Sequence, residues 1–231
     1  MNRTLYHLQK YNWHIYLSLI ALYFFIKGRL LGTGQIYYEV YKDSVTDNKV
    51  MNLYILVFCI LLLYFYKKIS RYDYVLRYRH LDRYLIYVLK NILYRSISFS
   101  FVLNIIFFLF VGPSAKKGLT GGNFTRVLLM FFTQTIGWIF LGIFIFISFL
   151  LFKKMIYSFA MCYIIALFLN YAYFVRFYSR FQLYIRMYYF MFRTDVFPSV
   201  HLLVSSVSLF AMLDFFGILL AQKLLSRHEY L

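Results

Sequence analysis

Hydrophobic residues in this chain come in long unbroken runs, not in the alternation of strands or the one-sided stripe of soluble helices, and short polar stretches separate the runs. Six runs approach the roughly 20 residues with which a helix crosses about 30 Å of hydrocarbon: residues 11–26, 50–66, 91–111, 127–152, 155–175 and 199–222. Lipid offers no hydrogen bonds, so a spanning segment must satisfy its backbone internally, which leaves helices and closed barrels. The two-residue alternation of a barrel strand is missing. The pattern therefore predicts an all-α polytopic membrane protein, one transmembrane domain of six transmembrane helices over residues 1–231.

The first run is the shortest. Residues 13–26 cover only about 21 Å at the helical rise, so Tyr11 and Trp13 are expected to anchor one interface while Lys27 and Arg29 snorkel to the other. Arg3 and Lys10 ahead of it superficially suit a secretory signal, but no small-residue cleavage site follows Phe25. The reading is a retained first span.

Two further segments carry helical periodicity without the length to span. In residues 67–90, Tyr74, Tyr78, Leu81 and Leu85 recur at one face while Asp73, Arg77, His80 and Arg83 line the opposite arc, which predicts an amphipathic helix. Asp73 stands four residues before Arg77, the favoured order for an ion pair on a helix. In residues 176–193, Arg176, Ser179, Arg180, Gln182, Arg186 and Arg193 fall within an arc of roughly 160°, with aromatic residues elsewhere, the pattern of a helix lying in an interface. Pro198 then predicts a break before the last span.

Composition agrees: 63% of residues are hydrophobic and 24% aromatic, far from a soluble domain. The net charge of +17 comes from 25 Lys and Arg against 8 Asp and Glu. These cations are scattered between apolar runs, which fits anionic lipid headgroups better than nucleic acid. A cytoplasmic N-terminus puts a small majority of them inside, carried mainly by residues 67–90, whereas the 28–49 segment offsets its own cations with Glu39, Asp43 and Asp47. The expectation is a multi-pass plasma-membrane protein with both termini cytoplasmic and residues 176–193 external.

Candidate chemistry is sparse. Asp214 is the only acid inside a predicted span and is expected to face the bundle, paired with Arg95 or Lys153. Thr133, Gln134 and Thr135, with Ser205, Ser206 and Ser208, read as helix–helix glue. Cys59 and Cys162 lie in spans and read as small buried apolar groups. His7, His14, His80, His201 and His228 are scattered, with no His-Glu-x-x-His pair. The chain has no Gly-x-Ser-x-Gly elbow and no Gly-Lys-[Ser/Thr] phosphate loop. No catalysis, ATP hydrolysis, metal or cofactor is expected of the chain itself. Gly118-Leu119-Thr120-Gly121-Gly122 reads as a flexible external loop, followed by a formal glycosylation sequon at Asn123.

The stretch Tyr74-Val75-Leu76-Arg77-Tyr78-Arg79-His80-Leu81-Asp82-Arg83-Tyr84-Leu85 is similar to the Arg-rich segment of small permeases of Gram-positive bacteria found with bacteriocin or peptide-export systems. With six spans and a helix between spans two and three, the chain resembles the permease subunit of a type-2 ABC exporter. That resemblance implies a coupling helix whose Arg77, Arg79, His80 and Arg83 dock a separate ATP-binding subunit. It also implies a second permease copy or paralogue, a peptide, lipid or other amphipathic substrate, and short re-entrant external helices. Arg176, Arg180, Arg186 and Arg193 would there meet anionic headgroups or an acidic substrate. From the residues alone a second reading stays open: a basic helix resting on the inner leaflet of a non-transporting membrane interaction protein, such as an immunity or assembly factor.

Overall fold

The computed structural model describes residues 48–69, 81–110, 121–171 and 200–227, which are helical apart from the short connection at residues 153–154. They form α1 (Asn48–Ile69), α2 (Leu81–Phe110), α3 (Gly121–Phe152), α4 (Met155–Tyr171) and α5 (Val200–Arg227). Three of them contain stretches long and apolar enough to cross a membrane: Leu81–Ile106 in α2, Phe131–Phe152 in α3 and Val207–Ser226 in α5. Shorter apolar stretches, Asn52–Leu63 and Ile156–Ile165, lie in α1 and α4. These features mark the chain as a helical membrane protein. The expected 11–26 span, the 176–193 helix with Arg176, Arg180, Arg186 and Arg193, and Arg77, Arg79 and His80 lie outside the described residues.

The helices differ from the expected segments in informative ways. Residues 81–90 are not part of a separate amphipathic helix. They are the first turns of α2 and run without a break into the apolar stretch expected at 91–111. Leu89 and Lys90 are strong helix formers and no glycine or proline follows to stop the helix, so the polarity change at Lys90 alters the environment but not the backbone. At the other end of the expected segment, Lys67 and Lys68 extend α1 to Ile69. Gly121 and Gly122, expected in a loop, instead open α3.

Contacts fix the direction of each helix. Phe58 and Tyr66 of α1 meet Trp138 and Phe146 of α3, with ring centroids at 4.8 and 5.2 Å, so these two helices run in parallel. Phe99 of α2 meets Trp138 at 4.9 Å while Asn104 reaches Gln134, so α2 is antiparallel to α3. The α4 chain reverses at Lys153–Lys154, where Lys153 takes a left-handed conformation (φ 54°), and Ser158 Oγ donates back to the Ser148 carbonyl at 3.3 Å. Phe210 of α5 packs on Phe140 at 5.1 Å and Gly217 on Ile143, so α5 again runs with α3. The five described helices thus alternate in direction along the chain.

The α3 helix is the hub. It touches all four others, and 56% of its spanning window is buried, against 33% for α2 and 11% for α5. The core around it is aromatic: Trp138, Phe58, Phe99, Tyr66 and Phe146 are almost wholly enclosed. Such rings fill the wide gap between α1 and α2, where Phe58 meets Phe99 at 5.2 Å. One buried polar contact ties the layers, the Tyr66 hydroxyl donating to the Gly142 carbonyl at 3.0 Å. Tyr66→Phe keeps the ring and removes the donor, and is expected to cost about 1 kcal/mol in reversible unfolding. No loss would mean that the i+4 amide of α3 already satisfies that carbonyl.

Candidate functional site

Buried polar side chains of the described residues fall mainly on α2 and α3, with Ser158 on α4. On α2, Ser96, Ser100 and Asn104 recur every four residues and so share one face. Ser96 and Ser100 are fully buried, with hydroxyl oxygens that have no hydrogen-bond partner. Asn104 donates through Nδ2 to the Ser100 carbonyl at 2.7 Å and to Gln134 Oε1 of α3 at 3.4 Å. Of the expected glue residues, Gln134 therefore bridges two helices. Thr133 and Thr135 are buried but donate along their own helix, to the Leu129 and Phe131 carbonyls at 3.1 and 2.8 Å. Ser205 and Ser208 face outward from α5. Cys59 and Cys162 are free and buried, on α1 and α4, which pack together.

The ion pair expected at Asp214 is not formed. Asp214 lies on the inner face of α5, in register with Phe210, Gly217, Ala221 and Leu225, and its Oδ1 is shielded with no hydrogen-bond partner. The Arg95 guanidinium lies instead over the ring of Phe65 on α1, 4.5 Å from its centroid, and its Nε is likewise shielded and without a partner. Lys153 is exposed in the α3–α4 turn. The cause is register. Asp82 accepts a hydrogen bond from Gln222 Nε2 at 3.3 Å and so aligns α2 with α5. From that level Asp214 lies eight residues along α5 and Arg95 thirteen along α2, an axial offset of about 7.5 Å. The Arg95 side chain also leaves α2 on the flank toward α1, whereas α5, which carries Asp214, packs on the flank where Asp82 meets Gln222.

One end of the bundle is strongly basic. The alternation of directions brings Lys67 and Lys68 of α1, Arg83 and Lys90 of α2, the Lys153–Lys154 turn, and Lys223 and Arg227 of α5 to the same end. Lys49 and Arg126 are at the other. Of the expected docking residues, Arg83 is described: it is exposed in the first turn of α2, at the basic end, beside Asp82. Tyr84 and Leu85, the next two residues, are buried against the bundle. The signal for this asymmetry is present in sequence as Lys/Arg at run boundaries, but it is diluted there by the cations of the polar segments.

No family model, curated protein or solved structure matches this chain.

Proposed function

We propose that this protein is the membrane-spanning permease subunit of an ABC exporter, with its basic end in the cytoplasm and ATP hydrolysis supplied by a separate chain. The observation that carries this reading is the position of the α1–α2 connection. Ile69 and Leu81 both lie at the basic end, so the Arg77, Arg79 and His80 segment starts and ends there, next to the exposed Arg83. Because Tyr84 and Leu85 are buried in the same rigid helix as Arg83, a force applied at this surface enters the bundle directly through α2. Cations gathered at the ends of the helices on one side also support the orientation, since the bias is read near the membrane boundary.

The interior described here is filled by Trp138, Phe58 and Phe99. A substrate path is therefore assigned to the boundary with a second copy or paralogue, with the chain in the plasma membrane and both termini cytoplasmic. The substrate class is a peptide, lipid or other amphipathic molecule. In this arrangement Arg176, Arg180, Arg186 and Arg193 face the external side, where they meet anionic headgroups or an acidic cargo.

Purification of the whole protein from its native membrane tests the reading. An ATP-binding chain is expected to accompany it, and Arg77→Glu with Arg83→Glu is expected to abolish that association and the linked ATP turnover without changing thermal stability, because reversal of surface charge costs a complementary interface and not a core. If no ATP-binding chain accompanies the wild type, the exporter reading falls. The same filled core then favours the second reading, a membrane interaction protein such as an immunity or assembly factor, whose partner would co-purify in place of an ATPase.

A further inference from the structure

Where α2 begins and α5 ends, these antiparallel helices leave a cavity of about 80 Å³, lined by Leu81, Asp82 and Leu85 on one side and by Gln222, Leu225 and Ser226 on the other. Leu85 and Leu225 are buried and close its floor, whereas Asp82, Gln222 and Ser226 are exposed at its rim. Gln222 Nε2 donates to Asp82 Oδ1 at 3.3 Å, and Ser226 Oγ donates to the Lys223 carbonyl at 2.9 Å. These bonds use the hydroxyl proton and one of the two amide protons. What remains at the rim is mainly acceptor: the second carboxylate oxygen of Asp82, the amide oxygen of Gln222 and the lone pairs of the Ser226 hydroxyl, against one amide N–H. A complementary ligand carries positive charge and several donors on one compact group. A primary ammonium has three N–H donors and no acceptor, as on a lysine; a quaternary ammonium brings the charge without a donor.

Depth identifies the source of that ammonium. Asp82 stands at the start of the apolar stretch Leu81–Ile106, and Gln222 and Ser226 at the end of Val207–Ser226, so both helices place the rim where their spanning stretches stop. One turn further in, on the faces that carry Asp82 and Gln222, Ile86 is 51% exposed and Leu219 44%. In a bilayer this apolar surface meets an acyl chain. Arg83 and Lys223, the exposed sequence neighbours of Asp82 and Gln222, bring positive charge to the same level, which suits a phosphate. An acid set beside cations fits a zwitterion whose ammonium and phosphate are joined by a short ethylene bridge. A purely anionic headgroup would instead be repelled by Asp82.

We propose that the cavity between the start of α2 and the end of α5 is a binding site for the primary ammonium of phosphatidylethanolamine, with Asp82 as its counter-charge and Gln222 and Ser226 as further acceptors. This assignment does not depend on the exporter reading. It is also separate from the diffuse attraction of the basic end to anionic lipid.

The test uses the whole chain in nanodiscs holding equal amounts of phosphatidylethanolamine, its N,N-dimethyl derivative and phosphatidylcholine, then release into detergent and native mass spectrometry to count retained lipid. Wild type is expected to retain these lipids in the order of their N–H donors, phosphatidylethanolamine first, and to gain thermal stability from it. Asp82→Asn keeps an acceptor for Gln222, so the register of α2 and α5 survives while the charge is lost. It is expected to lower the preference for phosphatidylethanolamine over phosphatidylcholine about tenfold, the worth of one hydrogen bond to a charged group. Ser226→Ala is expected to lower it less. Asp214→Asn removes the other acid of the described residues and is expected to leave the preference as in wild type. If Asp82→Asn does not fold, Ser226→Ala and the methylation series carry the test. Equal retention of the three lipids by wild type overturns the site, as does an unchanged preference in Asp82→Asn, or in Ser226→Ala where that variant stands in for it. A loss as large in Asp214→Asn overturns it too, because the effect would then follow the charge of the bundle and not this rim. Stabilisation by millimolar ethanolamine equal to that by the lipid would overturn the lipid as the source of the ammonium.

Discussion

Gly142→Leu is expected to lower the stability of the bundle by about 3 kcal/mol, the upper range for forcing extra groups into a packed interior. A Cβ at this position would stand 2.6 Å from Ile92 Cγ2 of α2 and 3.4 Å from Leu62 Cδ1 of α1. The Ile92 methyl cannot move away by a rotamer change, because Ile92 is β-branched and wholly buried. Gly142 also offers its carbonyl to Tyr66, so displacing α3 strains this side-chain hydrogen bond between α1 and α3. Ile92→Ala opens the space that the new side chain needs. It destabilises on its own, yet in the background of Gly142→Leu it should restore part of the loss, with a coupling of at least about 1 kcal/mol in a double-mutant cycle of thermal unfolding. Additive losses would mean that α2 and α3 can separate freely at this level. Gly217→Ala provides the contrast. Its Cβ would come within 2.8 Å of Ile143 Cγ2, but α5 is covered on one face only and can shift outward, so a smaller loss is expected there.

Asp214→Leu is expected to act in the opposite direction and raise stability by roughly 2 kcal/mol. A carboxyl group held in the apolar part of a membrane helix costs about that much when it lacks partners, and the Oδ1 of Asp214 is shielded with none. The new leucine would face Phe140 and Ile143 of α3, where a branched apolar side chain fits the surroundings. Asp214→Asn keeps the shape and polarity and should change little. Because Arg95 lies on the far flank of α2, Arg95→Gln and Asp214→Asn should add to within about 0.5 kcal/mol. A strong loss of stability in both Asp214 variants would reveal a partner for the carboxyl group. If the residue serves transport, Asp214→Leu will show the mark of a functional site: a more stable protein that works less well.

Those two sites show where sequence stops being informative. Apolar runs of the right length are enough to make helices in lipid, because no other backbone arrangement satisfies its own polar groups there. Residues 127–152 and 199–222 therefore read as spanning helices from sequence alone; α3 contains the first and α5 covers the second from Val200 on. The uncharged interior of α3 and the place of Asp214 as the single acid within a predicted span were visible in the same way. The length of α2 was not. The charge change at Lys90 looks like a boundary, but helix propensity runs through it, and only packing of Tyr84 and Leu85 against the bundle holds the polar turns to the apolar ones.

The pairing of Asp214 with Arg95 is the clearest case of what only tertiary structure decides. Sequence gives each residue a depth, to within a turn, but neither the flank from which it leaves its helix nor the register between helices. The Asp82–Gln222 contact sets that register and separates the two charges by about 7.5 Å along the axis. The stacking of Arg95 on Phe65 then turns one of them toward α1. Likewise, Gly142 is only one of ten glycines in the sequence. It becomes a point where no side chain fits because the antiparallel crossing of α2 and α3 puts Ile92 directly against it. In a membrane the runs of hydrophobic residues determine that the chain forms helices and which of them cross. The partners of each polar group, and with them the basic end, the polar seam and the unpaired Arg95 and Asp214, follow from how those helices rotate and slide against one another, which a pattern of period 3.6 leaves undetermined.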